Sequence, residues 1–460
     1  MERPLDKQTV DNICIANGLR NAKELGAASI RQFVSVVKDI EAKMGVEYIR
    51  MEIGEPGLPA EMIGIEAEHE ALLAGCGSKY PLITGIEPLT KEASRFIKAF
   101  INLDIPPVCI VPTVGSMQGA FATFMALSQM RKDRDTILFI DPGFPVQKAQ
   151  CKVQGIRFES FDVIDYRGKK LEEKLEEVLS SGRISGMIYS NPNNPTWMCL
   201  NEEELEIIGR MATKYDVIVV EDLAYLNMDF REDRSKPFEA PYQPSVARYT
   251  NNCLHLLSGS KMFSYAGQRI AIVAMNPALA ERCYEALAEK YGNDGEFRRN
   301  FIFNILYVLS SGVPHSAQYA LAAMFRAASD GRLNYVEHTR EYARRAEKMK
   351  KILSSVIEND TTADKIRAAF HAYIFLSYRK KDRAYANKLI QMIHNHPELR
   401  DIAVWFDEFL SPGESFQENI EKILKAEIGL VFEMVLEHAG AYKRTPTGQS
   451  AFLKFIQSIK

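Results

Sequence analysis

The stretch SGSKMFSYAGQR (258–269) places one lysine, Lys261, among serines and a glycine, with Arg269 eight residues on. A lysine is protonated and non-nucleophilic near neutral pH, so Schiff-base chemistry requires partial burial or a second cation to lower its pKa. Arg269 is such a cation, and its planar fork also suits a phosphate. Taken alone, the same fragment also reads as a solvated lysine beside a surface arginine. Other stretches invite the same double reading. In PTVGSMQGA, Gly115 and Ser116 stand where an apolar strand passes into a helix. Exposed N–H groups at a helix start, with a serine hydroxyl, make an anion site, or the serine is a plain N-cap. In NPNNPTW, the Asn194 amide is either a loop side chain or a donor to a ring hydroxyl. In EDLAY, Asp222 ends an apolar strand. A carboxylate buried there is costly unless a cation such as a protonated pyridine-type nitrogen meets it. Tyr225, three residues on, can reach the same ring. Phe144, in DPGFPVQ, either stacks on a flat aromatic ligand or belongs to the core.

These residues need a frame. Between about residues 107 and 290, short apolar runs (VCIVPT, TILFID, ISGMIYS, DVIVVED, CLHLLSG, QRIAIVAM) alternate with stretches of helical period such as SMQGAFATFMALSQM and NEEELEIIGRMATKY. That alternation predicts an α/β fold with a largely parallel sheet covered by helices on both faces. In such sheets ligands bind beyond the carboxyl ends of the strands, where these polar clusters fall. The segment FREDRSKPFEAPYQPSVARYTN, rich in proline and charge, predicts an irregular excursion before the lysine strand. NYVEHTREYARRAEKMKKILSSV predicts a long helix connecting two domains.

Composition narrows the partners. The 460 residues suffice for two domains, and 46% hydrophobic with 25% charged residues describes an ordinary globular chain. A net charge of −3 gives no general attraction for nucleic acid or anionic membrane, which leaves small-molecule chemistry. Seven scattered cysteines without a C-x-x-C pair argue against a disulfide framework or a zinc site and for a reducing compartment. The N-terminal MERPLDKQTVDN lacks the apolar core of a signal peptide, and the expected location is the cytoplasm.

Taken in order, the phosphate turn, the stacking aromatic, NPNNPT, D-x-A-Y and S-x-S-K followed by arginine resemble the class I/II aminotransferases, fold type I enzymes that use pyridoxal phosphate. The resemblance covers residues from about 50 to 330. It implies a fold type I transferase with a large, mostly parallel sheet and a smaller α/β C-terminal domain. The implied division is 1–50, packing with the small domain; 51–330, binding the cofactor; and 331–460, the small domain. It further implies that Lys261 forms the covalent link to the cofactor and moves the substrate's α-proton. Asp222 would pair with the pyridine nitrogen, Tyr225 and Asn194 would bind the ring oxygen, and Phe144 would stack on the ring. Gly115, Ser116, Met117, Ser258 and Arg269 would hold the phosphate. MEIGEPGLP resembles the family's glycine loop, placing Gly54 beside the substrate carboxylate. SKYPLITGIEPL resembles the segment whose tyrosine, here Tyr80, reaches the phosphate of a neighbouring subunit, which implies a homodimer. The substrates implied are an amino acid and a 2-oxo acid.

Two departures stand out. The family has glycine after NPT, where this chain has Trp197, so the site is expected to be narrowed or the loop shifted. The arginine that binds the substrate carboxylate has no clear counterpart. Lys454, in SAFLKFIQS, lies about where it should be, and Arg444 is nearby. Residues 368–427 also resemble the first half of a bacterial TIR domain, through AYIFLSYRKKDRAYANKLIQMI and DIAVWFDEFLSPGESFQENIEKIL. Glu433 and Glu437 are the candidates for that domain's glutamate. A decarboxylase or β-eliminating lyase is the alternative chemistry, and a TIR-like signalling protein with a degenerate cofactor domain is the alternative of another class.

Overall fold

The computed structural model describes residues 5–25, 28–46, 48, 54–358, 374–376 and 404–406. The chain divides into two units, one Pro56–Ala343 and the other Met1–Glu55 with Arg344–Lys460. The larger unit is built on seven strands: β1 (Ile110–Val114), β2 (Thr136–Asp141), β3 (Arg157–Asp162), β4 (Ile184–Ser190), β5 (Ile218–Asp222), β6 (Cys253–Ser258) and β7 (Ile270–Met275). They form one sheet in the order β1-β7-β6-β5-β4-β2-β3. Neighbours from β3 to β6 pair in parallel, whereas β7 runs antiparallel to both β6 and β1.

Every residue of β4, β5, β6 and β7 is buried, which is why these strands are continuous apolar runs in the sequence. β3 is different. It closes one edge of the sheet as Arg-Phe-Glu-Ser-Phe-Asp, mostly in contact with solvent, and the apolar-run criterion misses it.

The helices needed here are α1 (Lys7–Ala16), α2 (Ile30–Met44), α3 (Met62–Leu73), α4 (Glu87–Ile101), α5 (Gly115–Gln129), α6 (Pro145–Gln154), α7 (Lys169–Leu179), α8 (Glu202–Lys214) and the single turn α9 (Gly259–Met262). Alternation along the strands sorts the two faces. Ile137, Phe139, Ile218 and Val220 pack in one core with Phe96 of α4, Phe124 of α5 and Leu321 of the helix His315–Ser329. Leu138, Ile140, Val217 and Val219 pack in the other with Leu171 and Leu175 of α7 and Leu205 and Ile208 of α8. The sheet is thus a middle layer between two helical layers.

The proline-rich excursion holds a short 3-10 turn, Val246–Arg248, and is tied to the end of α4 by Phe238 N–H to Ala99 O (2.8 Å) and Gln243 N–H to Phe100 O (2.9 Å). The expected long helix runs Tyr335–Glu358. In the other unit, α2 starts with a capping box in which Ser29 accepts from Gln32 N–H and Gln32 accepts from Ser29 N–H. Two short strands of that unit, β8 (Ile374–Leu376) and β9 (Val404–Phe406), pair in parallel.

Register decides where the chemistry lies. Ser190, the last residue of β4, pairs with Asp222, the last of β5, and Asp222 pairs with Leu256 of β6. Ser258, the last of β6, pairs with Ala271, while Val114, the last of β1, pairs with Ile270. Because β7 is antiparallel, Arg269 enters the sheet where β1 and β6 leave it. Gly115, Arg269, Lys261, Asp222 and the 191–197 loop therefore share one edge. Asp222 falls on the same face as Val220, the α5 face.

Candidate active site

At this edge the first turn of α5 meets Arg269. Gly115 has φ +67°, a left-handed conformation that glycine adopts without penalty, and a Cβ there would press on Arg269 Nη2 and lie 3.0 Å from Cζ. Arg269 is itself left-handed (φ +50°), held by its Nη1–H donating to Ala266 O at 2.9 Å. A guanidinium over the N-terminus of a 15-residue helix is a cradle for a dianion, with backbone N–H groups on one side and a fork of donors on the other. Gly115→Ala would drive a methyl into that cradle. Its affinity for inorganic phosphate is expected to fall at least tenfold, as read by equilibrium titration.

Asp222 is the second fixed point. It is 6% exposed. Oδ2 accepts from Gln147 Nε2 at 2.8 Å and Oδ1 from Ala224 N–H at 3.2 Å. Desolvation pushes its carboxyl up to about 6, only partly offset by those two donors. Both partners are neutral, so this buried carboxyl fits a cationic ring nitrogen.

Gln147 escaped the sequence reading, although a signal exists. α6 carries Gln147, Gln150 and Gln154 on one helical face. Gln150 Nε2 donates to Met117 O (2.8 Å) and Gln154 Nε2 to Phe121 O (3.2 Å), fastening α6 to α5 while Gln147 holds Asp222. Phe144 immediately precedes α6 and is half-buried at the end of the β2 loop.

The 191–197 loop is braced from within. Asn193 Nδ2 donates to Pro142 O (2.6 Å), and Asn193 Oδ1 accepts from Thr196 Oγ1 (2.7 Å). Asn194 N–H donates to Ser190 Oγ (3.1 Å), and among the described residues its half-buried side-chain amide has no hydrogen-bond partner. Trp197 is left-handed at φ +55°, which explains why glycine suits this position. The loop keeps that turn, with Trp197 N–H donating to Asn193 O (2.9 Å), and the indole packs against Tyr225.

Ser258 is buried at the start of α9, where its hydroxyl accepts from Ser260 N–H (3.1 Å). Lys261 follows on the same turn and is half-buried. Ser116 is half-buried and Met117 exposed on the first turn of α5. Tyr80 is 96% exposed. Gly54 belongs to the other unit. Lys454, Arg444, Glu433 and Glu437 lie outside the described residues. The seven cysteines are all free thiols. Among the described residues no helix is long and apolar enough to cross a membrane.

The chain is similar to known proteins over the same span. An LL-diaminopimelate aminotransferase of Gloeobacter violaceus is 26% identical over 243 residues, covering 52% of this chain and 59% of the relative. A probable aspartate aminotransferase of Methanocaldococcus jannaschii is 24% identical over 246 residues, covering 53% of this chain and 61% of the relative. An S-alkyl-thiohydroximate lyase of Arabidopsis thaliana is 27% identical over 233 residues, covering 48% of this chain and 47% of the relative. The chain thus spans about 60% of the length of the first two. Among solved structures, an aspartate aminotransferase of Thermus thermophilus matches with a TM-score of 0.58 at 20% identity, over 71% of this chain and 78% of that one. The pattern of one family, described as aminotransferase class I and II, matches residues 48–396 and so takes in the opening part of the TIR-like stretch. Matched by that pattern over more than half its length, and carrying the fold of its solved neighbours, the chain belongs to the class I and II aminotransferases, a family that works with pyridoxal phosphate.

Proposed function

We propose that this chain is a pyridoxal-phosphate-dependent aminotransferase that moves an amino group between an amino acid and a 2-oxo acid. The observation that carries the reading is the shared sheet edge, where strand register brings an anion cradle, a buried unneutralised carboxyl and a half-buried lysine together. Gly115, Ser116, Met117, Ser258 and Arg269 hold the phosphate. Asp222 receives the ring nitrogen, Asn194 and Tyr225 the ring oxygen, and Phe144 lies along the ring. The chemistry that pyridoxal phosphate supplies when bound is an aldehyde that captures amines and a ring that accepts an electron pair.

Every other task falls to the chain. Asp222 keeps a proton on the ring nitrogen, because a carboxylate buried among neutral partners is stabilised by that cation. Lys261 Nζ holds the cofactor covalently at rest and takes the proton from the substrate's α-carbon during turnover. Gly54 and Lys454 are assigned to the substrate carboxylate. A lysine there gives a point charge without the bidentate fork, so substrate affinity is weaker than with arginine.

Pro56–Ala343 serves as the cofactor-binding unit, with the remaining residues forming the smaller one. A second copy of the chain completes the site. Tyr80 is 96% exposed and so is open to a neighbouring subunit. The reading of residues 368–427 as TIR-like rests on sequence alone, since a parallel pair such as β8 and β9 is common to many α/β units.

The test is the visible absorption spectrum of the purified protein with pyridoxal phosphate. A yellow band that bleaches with an amino acid and returns with a 2-oxo acid is expected. Failure to form the band sinks the reading. A β-eliminating lyase is the second reading, favoured by the similarity to the Arabidopsis thaliana lyase. Ammonia and pyruvate from a β-substituted amino acid, in place of the aminated cofactor, would select it.

A further inference from the structure

We propose that Trp197 is a positioning residue that holds the Tyr225 phenol in the orientation its hydrogen bond to the cofactor's ring oxygen requires. The proposal rests on the pyridoxal-phosphate reading above. Four contacts fix Trp197. Its Nε1–H donates to Met228 O at 2.9 Å, and its backbone N–H donates to Asn193 O at 2.9 Å. Its ring meets Tyr225 edge-on at 5.6 Å and 61°, and stacks on Phe230 at 6.2 Å and 23°. Phe230 is held in turn by Arg340, whose guanidinium lies 5.7 Å from the ring centroid and donates to Phe230 O at 3.4 Å.

The backbone under Tyr225 is already fixed, since Met228 N–H donates to Tyr225 O at 3.0 Å and Asn227 N–H to Gln243 Oε1 at 3.1 Å. The indole lies edge-on against one flank of the phenol and limits the swing of the side chain towards that side. A glycine at 197 would leave that flank to water. The left-handed backbone at Trp197 would suit glycine better, so the indole is carried against local conformational preference. Its aromatic contacts and the bond to Met228 offset that strain.

The readout is the pH midpoint of the visible band of the bound cofactor. A phenol donating to the ring oxygen stabilises negative charge there and so disfavours the protonated form; weakening that bond raises the midpoint. Trp197→Gly is expected to raise it by about half a pH unit, the effect of losing part of one hydrogen bond. Trp197→Phe, which keeps a ring against Tyr225, should shift it less. Combining Trp197→Gly with Tyr225→Phe should shift it no further than Tyr225→Phe alone, because Trp197 acts through the phenol. An unchanged midpoint in Trp197→Gly, or additive shifts in the double variant, would overturn the positioning role alone. No visible band in the unmodified protein would overturn the cofactor reading and this role with it.

A second measurement leaves residue 197 intact. The chain has two tryptophans, so in Trp405→Phe the emission comes from Trp197. Pyridoxal phosphate should quench it, and emission unmoved by saturating cofactor would overturn the proximity on which the proposal stands.

Discussion

Replacing Lys261 by alanine is expected to lower turnover at least about a thousandfold, the scale of losing a positioned general base. The loss has two parts. The side chain that holds the cofactor covalently is gone, and so is the base for the α-proton. The fold should survive. α9 is organised by the Ser258 cap and by Met262 and Phe263, both fully buried, none of which is altered. The phosphate cradle at Gly115 and Arg269 and the buried Asp222 also remain, so the variant should still bind pyridoxal phosphate, now only non-covalently. Its spectrum should show the free aldehyde's near-ultraviolet band in place of the yellow one. Lys261→Arg should not rescue, because a guanidinium keeps the charge without a nucleophilic amine. A small primary amine in the buffer should restore part of the rate. A Lys261→Ala protein with undiminished rate would remove the chemical assignment of this edge.

How much of this was legible beforehand follows from burial. β4 to β7 are covered on both faces, so they stand out as apolar runs, and the polar residues ending β4, β5 and β6 mark the edge where the site lies. β3 is invisible to the same criterion because an edge strand in contact with solvent carries Arg, Glu, Ser and Asp around its two Phe. Antiparallel β7 was legible as a strand but not in direction; only pairing shows that Arg269 enters where Ser258 leaves.

Single side chains obey a different logic. Asp222 was readable because a carboxylate closing an apolar strand demands a reason. Gln147 was not, since a glutamine in a first helical turn looks the same facing water or a buried acid. Trp197 stands out in the sequence by contrast with the family's glycine, which predicts a narrowed site or a displaced loop. The loop keeps its left-handed turn, and the indole is accommodated between Tyr225 and Phe230. Backbone conformation explains the family's preference at that position, whereas the destination of the side chain is a tertiary fact.

The sharpest test of the site separates function from stability at Asp222. Burial raises this carboxyl from 3.8 to about 6 in the folded protein. The folded chain then holds a proton that the unfolded chain has already released, so cofactor-free stability falls as pH rises from about 4 to 6. Above that window the ionised Asp222 costs the cofactor-free protein about 3 kcal/mol, from a shift of about two units at 1.36 kcal/mol each. Asp222→Asn removes the charge and keeps the shape. Asparagine Oδ1 can accept from Ala224 N–H, and Gln147 can turn its amide to offer oxygen to the new Nδ2. The cofactor-free variant is therefore expected to be more stable than the parent at pH 7.5 in urea unfolding, with the difference shrinking as pH is lowered through 6 towards 4. With pyridoxal phosphate the order should reverse. The parent gains an ion pair at a buried site, whose loss costs about 3–5 kcal/mol, so the variant should bind the cofactor more weakly and turn over about a hundredfold to a thousandfold more slowly. A residue with a purely structural role would instead lose stability on substitution and leave the ratio of bound to free stability unchanged. Opposite signs in the two states are what a carboxylate held in reserve for a cationic ring nitrogen requires.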